Sequence, residues 1–428
     1  MVLKAVVLVG GPSRGTRFRP LSLNVPKPLF PVAGHPVVYH HIAALSRVPH
    51  LVEILIIGFF EDSVFAGFVE SVNSEFGVPV RYLREFQALG TAGGLYHFRD
   101  EILRGHPSHF YVLHADVCSS FPLVPMLEFH KTHQGLCSIL GTKVPRDMAH
   151  RYGCLVVKPG TTNGEIMHYA EKPETFISDL ISCGVYLFST EKVFSAIKKA
   201  LEQKTEEDSV HGSADHHDHN TFSGSPASLP ALDSGSVQTV KLEQDLLRPL
   251  AADGKLFVFE TKDFWRQIKT AGSAIPANSL YLQQYQKTNP DVLAKPNVNG
   301  LQIEGAVWIH PTAKVDPTAK LGPNVSIGPR CVIGRGVRIR EAIVLDNVEV
   351  KPNSLIVYSV IGWNSRIGCW ARVEGSPPSM YNTAVTQNGK KIESITILAK
   401  DVVVADEVVI RNCIVLPNKE LRNSFHSE

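Results

Sequence analysis

From Ile303 onward an apolar residue recurs at every sixth position: Ile303, Ile309, Val315, Leu321, Ile327, Ile333, Ile339 and Leu345. Lys351 breaks the series. It resumes in a second register at Leu355, Ile361, Ile367 and Val373, and in a third at Ile397, Val403, Val409 and Val415. Phrases such as Leu-Gly-Pro-Asn-Val-Ser and Ile-Gly-Pro-Arg-Cys-Val fill the intervals. This is a hexapeptide repeat, which stacks short flat strands into a left-handed parallel β-helix with one apolar side chain pointing inward per face. An irregular Val-rich β domain does not keep sixteen apolar positions in three unbroken registers. Residues 303–428 are therefore expected to form a rigid prism whose side faces and ends favour oligomers. The stretch Glu374–Ser394, rich in Ser, Pro, Asn, Gly and Lys, is too long for a corner and is expected to project as a loop.

The other end of the chain carries the chemistry. The run Ala5-Val6-Val7-Leu8-Val9 has the length of a buried strand and breaks into Gly10-Gly11-Pro12-Ser13-Arg14-Gly15-Thr16-Arg17. Glycines let backbone N–H groups approach a ligand, and successive inward N–H groups make an anion-binding hollow. Arg17, and Lys27 between two prolines, add the positive charge that a di- or triphosphate needs. A glycine loop alone is an ordinary strand–turn–helix joint; the Thr-Arg and Pro-Lys-Pro spacing is what makes it specific.

At 428 residues the chain is too long for one typical core, and two domains are expected. A formal net charge of +2 offers no electrostatic reason for a nucleic acid or an acidic membrane as partner. Seven cysteines without CxxC or metal spacing read as reduced thiols of a cytoplasmic protein. No apolar run is long enough to cross a bilayer. Over residues 1–200, strand-like apolar runs at Val52–Gly58, Val78–Leu83 and Phe110–Leu113 alternate with mixed segments of helical character at 36–47, 61–76 and 122–134, expected as the intervening helices. That alternation predicts an α/β domain with a mostly parallel sheet. Ligands of such sheets bind beyond the carboxyl ends of the strands, where Gly10–Arg17 and Asp116 fall. Residues 202–238 are too poor in apolar side chains to order and are expected to be a mobile insertion. Their cluster His211, His216, His217 and His219 beside Asp215 and Asp218 has nothing rigid to fix a metal geometry. A strand at Leu256–Glu260 and a helix at Ser273–Gln286 complete a first domain of 1–288, with 289–302 as linker.

Taken together, Gly-Gly…Gly-Thr-Arg-x-x-Pro-Leu…Pro-Lys-Pro, Leu89-Gly90-Thr91-Ala92, Asp116, Tyr152-Gly153 and Glu171-Lys172-Pro173 resemble the sugar-1-phosphate nucleotidylyltransferases. With the hexapeptide tail the chain is similar to the mannose-1-phosphate guanylyltransferases, and more narrowly to their alpha-type chains. The resemblance implies a Rossmann-like nucleotidyltransferase domain in front of the β-helix, and transfer of a nucleotidyl group from GTP to mannose 1-phosphate with Mg²⁺. It implies that the backbone of Gly10, Gly11 and Gly15, with Thr16, cradles phosphate. Arg17 would neutralise the transferred phosphoryl group and Lys27 would hold the α-phosphate. Leu89, Gly90, Thr91 and Ala92 would border base and ribose. Tyr152, Gly153, Glu171, Lys172, Ser182 and Gly184 would line the sugar, and Asp116 would be one Mg²⁺ ligand. In-line transfer between phosphate oxygens depends on positioning and charge neutralisation more than on a protein nucleophile.

Three departures from the family pattern matter. Catalytic members carry a second metal carboxylate in Phe-Trp-x-Asp-Ile-Gly, where this chain has Phe264-Trp265-Arg266-Gln267-Ile268-Lys269. Pro12-Ser13-Arg14 stands where those members have a single residue, lengthening the loop by two. Ser182 replaces an Asn. Ground-state binding and transition-state stabilisation are separable. The expectation is thus a regulatory chain that binds GDP-mannose, assembles with a catalytic beta-type subunit, and reaches its partner through the Glu374–Ser394 loop. The alternative is an active guanylyltransferase using Asp116 alone. An acyltransferase, another common owner of such prisms, is disfavoured by the nucleotide motifs and the lack of an evident catalytic His.

Overall fold

A computed structural model describes residues 1–11, 16–133, 135–161, 163–211, 239–296, 300–376, 386–387, 390–391 and 395–427. Contacts divide the chain into two compact units that do not follow the expected boundary at 289–302. The first holds Met1–Gly11, His41–Ala115 and Phe121–Asp263, and the second holds Pro12–His40, Asp116–Ser120 and Phe264–Glu428. Short N-terminal segments thus belong with the hexapeptide region. No helix among the described residues is long and apolar enough to cross a membrane, and all seven cysteines are free thiols.

The first unit is built on a nine-stranded sheet. Its centre is Leu3–Gly10, whose Val-rich run is buried almost throughout. It lies parallel to Leu51–Gly58 on one side and His109–His114 on the other. Val80–Arg84 extends the first side in parallel, and the antiparallel Leu180–Ser189 extends the second. Because the neighbours of Leu3–Gly10 arrive by opposite crossovers, Gly10–Gly11 sits at a topological switch point, the usual ligand position in such sheets. The expected helices are found at Val37–Leu45, Asp62–Glu75 and Leu123–Lys131. Thr190–His211 is helical and carries regular structure past residue 202, where a mobile insertion was expected. Residues 212–238, with most of the His/Asp cluster, lie outside the described residues.

At the far end of this sheet two histidines are fixed by a closed hydrogen-bond circuit. The Gly135 N–H donates to His133 Nδ1 (3.0 Å), and His133 Nε2–H donates to Ser138 Oγ (2.9 Å). The Ser138 hydroxyl donates to His130 Nδ1 (2.7 Å), and His130 Nε2–H donates to Ser189 Oγ (2.9 Å). The Ser189 hydroxyl returns to the Gly135 carbonyl (3.3 Å). One proton assignment satisfies all five bonds, with both rings neutral. Burial, with His109 and His133 nearby, lowers the His130 pKa to about 3, and burial lowers that of His133 to about 4. Since an unfolded His titrates near ~6.5, the unfolded chain binds more protons below that pH. The stability these rings contribute is full above ~6.5 and is lost as pH falls towards their folded values, by roughly 2 kcal/mol per ring at about pH 5. Near-UV circular dichroism of the buried Tyr111, Tyr169 and Tyr186 should show this unit melting several degrees lower at pH 5 than at pH 7. An unchanged melting temperature would contradict the circuit.

The second unit contains the prism, with strands paired in parallel from coil to coil, consistent with a left-handed β-helix. Its interior is filled by Leu321, Ile327, Ile333, Ile339, Val344, Val350, Ile356, Ile361, Ile367 and Val373, then Leu398, Val404 and Ile410. The spacing is six except on one face, where Ile339→Val344 and Ile356→Ile361 are five apart, so a coil closes in 17 residues: Ile327 pairs with Val344 and Ile339 with Ile356. Counting by six therefore misplaces several expected interior residues. Leu345 and Ile397 are buried, but outside the prism against the helix Ala274–Thr288, in a cluster with Ile275, Tyr281 and Leu282. Leu355 is half-buried, Val403 is 38% exposed, and Val409 points away from the interior. Two adjacent apolar residues occur wherever both surfaces of a strand are covered, and a strict period cannot say which one is inside. Corners need φ above zero, supplied by Asn347 (58°) and Asn364 (57°), whose side chains also bond to each other across coils (3.1 Å).

Candidate functional site

In the first unit Gly10 and Glu171 end their strands, Leu3–Gly10 and Ile166–Glu171, whereas Gly153 opens Gly153–Val157 and Ser182 and Gly184 stand near the start of the antiparallel Leu180–Ser189. Gly10 closes its strand with φ of 68°, a left-handed conformation that favours glycine. Gly11 follows it. Gly15 lies outside the described residues, together with Pro12, Ser13 and Arg14, so the lengthened loop is not described.

The loop Leu89–Ala92 leads into the helix Gly90–His97 and is held by residues 150 positions later. Val240 N–H donates to the Leu89 carbonyl (2.8 Å), and the Val240 carbonyl accepts from Ala92 (3.0 Å) and Gly93 (3.2 Å). A Cβ on Gly90 would stand 2.4 Å from the Val240 oxygen, which excludes any side chain there. The Thr91 hydroxyl accepts from Leu242 N–H (2.7 Å) and donates to Glu243 Oε2 (3.3 Å), while Glu243 Oε1 lies 3.4 Å from His114 Nε2. Sequence reasoning missed Val240, Glu243 and His114. A single acid after a low-complexity stretch makes no local motif, and only the fold brings it to Thr91.

Tyr152, Gly153, Glu171 and Lys172 do come together. The Tyr152 carbonyl accepts from Lys172 N–H (3.1 Å), and the Tyr169 hydroxyl donates to Glu171 Oε2 (2.9 Å). Lys172 Nζ pairs with Glu171 Oε1 (2.5 Å). The Ser182 hydroxyl accepts from Gly184 N–H (3.4 Å) and donates to the Tyr186 oxygen (3.5 Å). Burial, with Glu243 and Glu171 nearby, raises the Tyr186 pKa, so the phenol stays protonated. Two carboxylates with several hydroxyls suit a ligand rich in hydroxyl groups.

In the second unit, Thr16 and Arg17 are exposed on a short 3₁₀ turn, Thr16–Phe18. Lys27 opens another, Lys27–Leu29. A two-stranded ribbon pairs Val117–Ser119 with Trp265–Gln267, placing Gln267 opposite Val117 and therefore beside Asp116. The Ile268 N–H donates to the Asp116 carbonyl (2.7 Å) and locks that register. Asp116 Oδ2 accepts from Lys27 Nζ (3.2 Å) and from Gln267 Nε2 (3.2 Å), and Lys27 also donates to the Ile268 carbonyl (3.2 Å).

This donor set does not fit a protein-held Mg²⁺. Magnesium is held by hard anionic oxygens, usually one or two carboxylates with substrate phosphate. Here one carboxylate is present, and an ammonium and an amide N–H both bond to the same oxygen of it. Among the described residues no group of three or more His, Cys, Asp or Glu could hold a metal. Arg266 and Lys269 add further positive charge to the segment.

A family model described as Nucleotidyl transferase matches residues 4–216, and one described as GMPPB C-terminal domain matches 303–428. A Xenopus tropicalis protein named mannose-1-phosphate guanylyltransferase regulatory subunit alpha is 49% identical, covering 100% of this chain and 99% of its own. The human protein of the same name is 48% identical over the same shares. The chain belongs to the mannose-1-phosphate guanylyltransferase family. A relative from Schizosaccharomyces pombe, named "Probable mannose-1-phosphate guanyltransferase", is 45% identical over 99% of this chain and 98% of its own. A crystal structure from Bacillus anthracis, assigned as a glucose-1-phosphate thymidylyltransferase, aligns with a TM-score of 0.50 and 23% identity over 65% of this chain and 95% of its own. That likeness concerns the fold alone. Membership in the guanylyltransferase family makes the lone, occupied carboxylate informative, because the family's chemistry is phosphoryl transfer.

Proposed function

We propose that this chain is the nucleotide-sugar-binding regulatory subunit of a mannose-1-phosphate guanylyltransferase. In this reading it binds GDP-mannose in the cytoplasm and modulates a catalytic beta-type subunit within a hetero-oligomer. The observation that carries the reading is Asp116, whose Oδ2 is engaged by Lys27 and by Gln267, the residue standing where a second carboxylate belongs. Lys27 places a fixed cation where a metal would otherwise bring charge. The hydroxyl-rich cluster around Glu171, Ser182 and Glu243 keeps what a sugar needs. The names of the vertebrate relatives agree with a regulatory role.

Ligand binding here can change a partner only by favouring one of two assembled states. The 374–394 loop is proposed to make that contact. The Glu374 carbonyl accepts from the Thr396 hydroxyl (2.6 Å), and its carboxylate is gripped by Arg372 (2.7 Å) and Arg411 (2.6 Å). Both ends of the loop are thereby anchored at one point of the prism, while most of the loop itself lies outside the described residues.

Calorimetry with GDP-mannose tests the reading. Binding should be equal, within about twofold, in EDTA and in excess Mg²⁺, because no metal is needed to hold the diphosphate. A large loss of affinity in EDTA would support the second reading, an active transferase, which the name of the S. pombe relative favours. Absence of binding in both conditions would remove the regulatory reading.

A further inference from the structure

The first unit contains a cavity of about 790 Å³ at the end of the sheet opposite to Gly10–Gly11, where the strand His109–His114 begins and Leu180–Ser189 ends. Its volume lies in the range of small-molecule sites, roughly 300–1,000 Å³. The closed circuit of His130 and His133 forms part of its wall. That circuit spends every polar atom of both rings internally and leaves them neutral, so the wall is rigid and the histidines bring no charge.

Charge comes from lysines. Lys131, Lys192, Lys199 and Lys255 line the cavity, against Glu191, Asp245 and Asp253. Most of these are already neutralised: Lys131 pairs with Glu128 (2.8 Å), Lys255 with Asp253 (2.9 Å), and Asp245 with Lys204 (2.6 Å). Among the described residues Lys192, Lys199 and the neighbouring Glu191 make no ion pair, although the exposed Asp253 carboxylate, whose pKa is lowered first by Lys255, is lowered also by the charge of Lys199. The two lysines Lys192 and Lys199 stand seven positions apart on the helix Thr190–His211, so they share one face about 10 Å apart along its axis, with Ser195 between them. Lysine side chains are long enough for both ammonium groups to converge over Ser195. Thr190, between two lining residues, keeps a buried hydroxyl with no hydrogen-bond partner.

We propose that this cavity is a second ligand site, separate from the nucleotide end of the sheet, for a phosphorylated small molecule whose phosphate is held by Lys192 and Lys199 with Ser195 as hydroxyl donor. The inference does not depend on the regulatory reading. Its test uses the full chain and inorganic pyrophosphate as probe, by titration calorimetry at low ionic strength. Lys192→Ala/Lys199→Ala should weaken pyrophosphate binding at least tenfold and leave GDP-mannose binding unchanged. Lys198→Ala, on the same helix but paired with Glu202 (3.6 Å), should change pyrophosphate binding less than twofold. Unaltered near-UV circular dichroism of each variant establishes that it is folded. The proposal is overturned if the wild-type chain gives no heat beyond dilution. It is equally overturned if the double variant binds as well as wild type, or if Lys198→Ala weakens binding as much, since either result makes the effect one of general surface charge.

Discussion

Incubated alone with GTP, mannose 1-phosphate and Mg²⁺, the purified chain should form GDP-mannose at no more than about a thousandth of the rate of a catalytic family member. The magnitude follows from the donor set at Asp116. A metal clamp supplies several kcal/mol of charge stabilisation to a phosphoryl-transfer transition state, and each ~1.4 kcal/mol is tenfold in rate. The amide of Gln267 bonds to Asp116 instead of sharing a cation with it. Lys27 can neutralise ground-state charge but cannot bridge the attacking and leaving oxygens. Gln267→Asp restores a carboxylate beside Asp116, yet its recovery should stay below about tenfold: Arg266, Lys269 and the longer Pro12–Arg14 loop remain. Product formation measured by chromatography decides both points. A wild-type chain that turns over at ordinary enzyme rates refutes the regulatory reading. A Gln267→Asp variant reaching such rates shows that the loop length is irrelevant.

The second large effect is expected at Asn278, a polar side chain with no exposed surface on the helix Ala274–Thr288. Its Oδ1 accepts from Ala33 N–H (2.8 Å) and the Ser326 hydroxyl (2.8 Å), and its Nδ2 donates to the Asn324 carbonyl (3.2 Å). It therefore ties the N-terminal segment, the helix and a prism coil into one unit. Asn278→Leu leaves a buried backbone N–H and a buried C=O unpaired at roughly 1–3 kcal/mol each, and adds strain from a branched side chain in a packed site. The total should reach about 3–6 kcal/mol. Ser326→Ala, which removes one donor while Oδ1 keeps another, should cost only about 1 kcal/mol. The measurement is selective, because all four tryptophans, Trp265, Trp308, Trp363 and Trp370, lie in the second unit. Tryptophan fluorescence in urea should show a much lower midpoint for Asn278→Leu than for Ser326→Ala. Equal midpoints would mean that the buried network carries no special weight.

The His130–His133 circuit and the Asn278 junction share a property with the brace of Glu243 on Thr91. The Asn278 junction and the Glu243 brace join residues far apart in sequence, and the histidine circuit, though mostly local, closes only through the distant Ser189. None has a period or spacing to betray it.

What the sequence by itself determined were the features written in local order. The six-residue period specified a stacked β-helix, and the Val-rich run before Gly10-Gly11 specified a buried strand ending in a loop, whereas only the family resemblance makes Gln267 in Phe264–Lys269 the place of a second carboxylate. The period and the run are legible because neighbouring residues share one geometry, and period or spacing records it directly. Tertiary structure decided the rest. It set the five-residue face that puts Val344 and Leu398 inside instead of Leu345 and Ile397, because coil closure depends on how one corner turns and on a helix covering the outside. It brought Lys27 to Asp116, and Glu243 to Thr91. These are contacts across tens to hundreds of residues, chosen by packing and by the need to pair every buried polar group, and no one-dimensional pattern encodes which partner packing will choose.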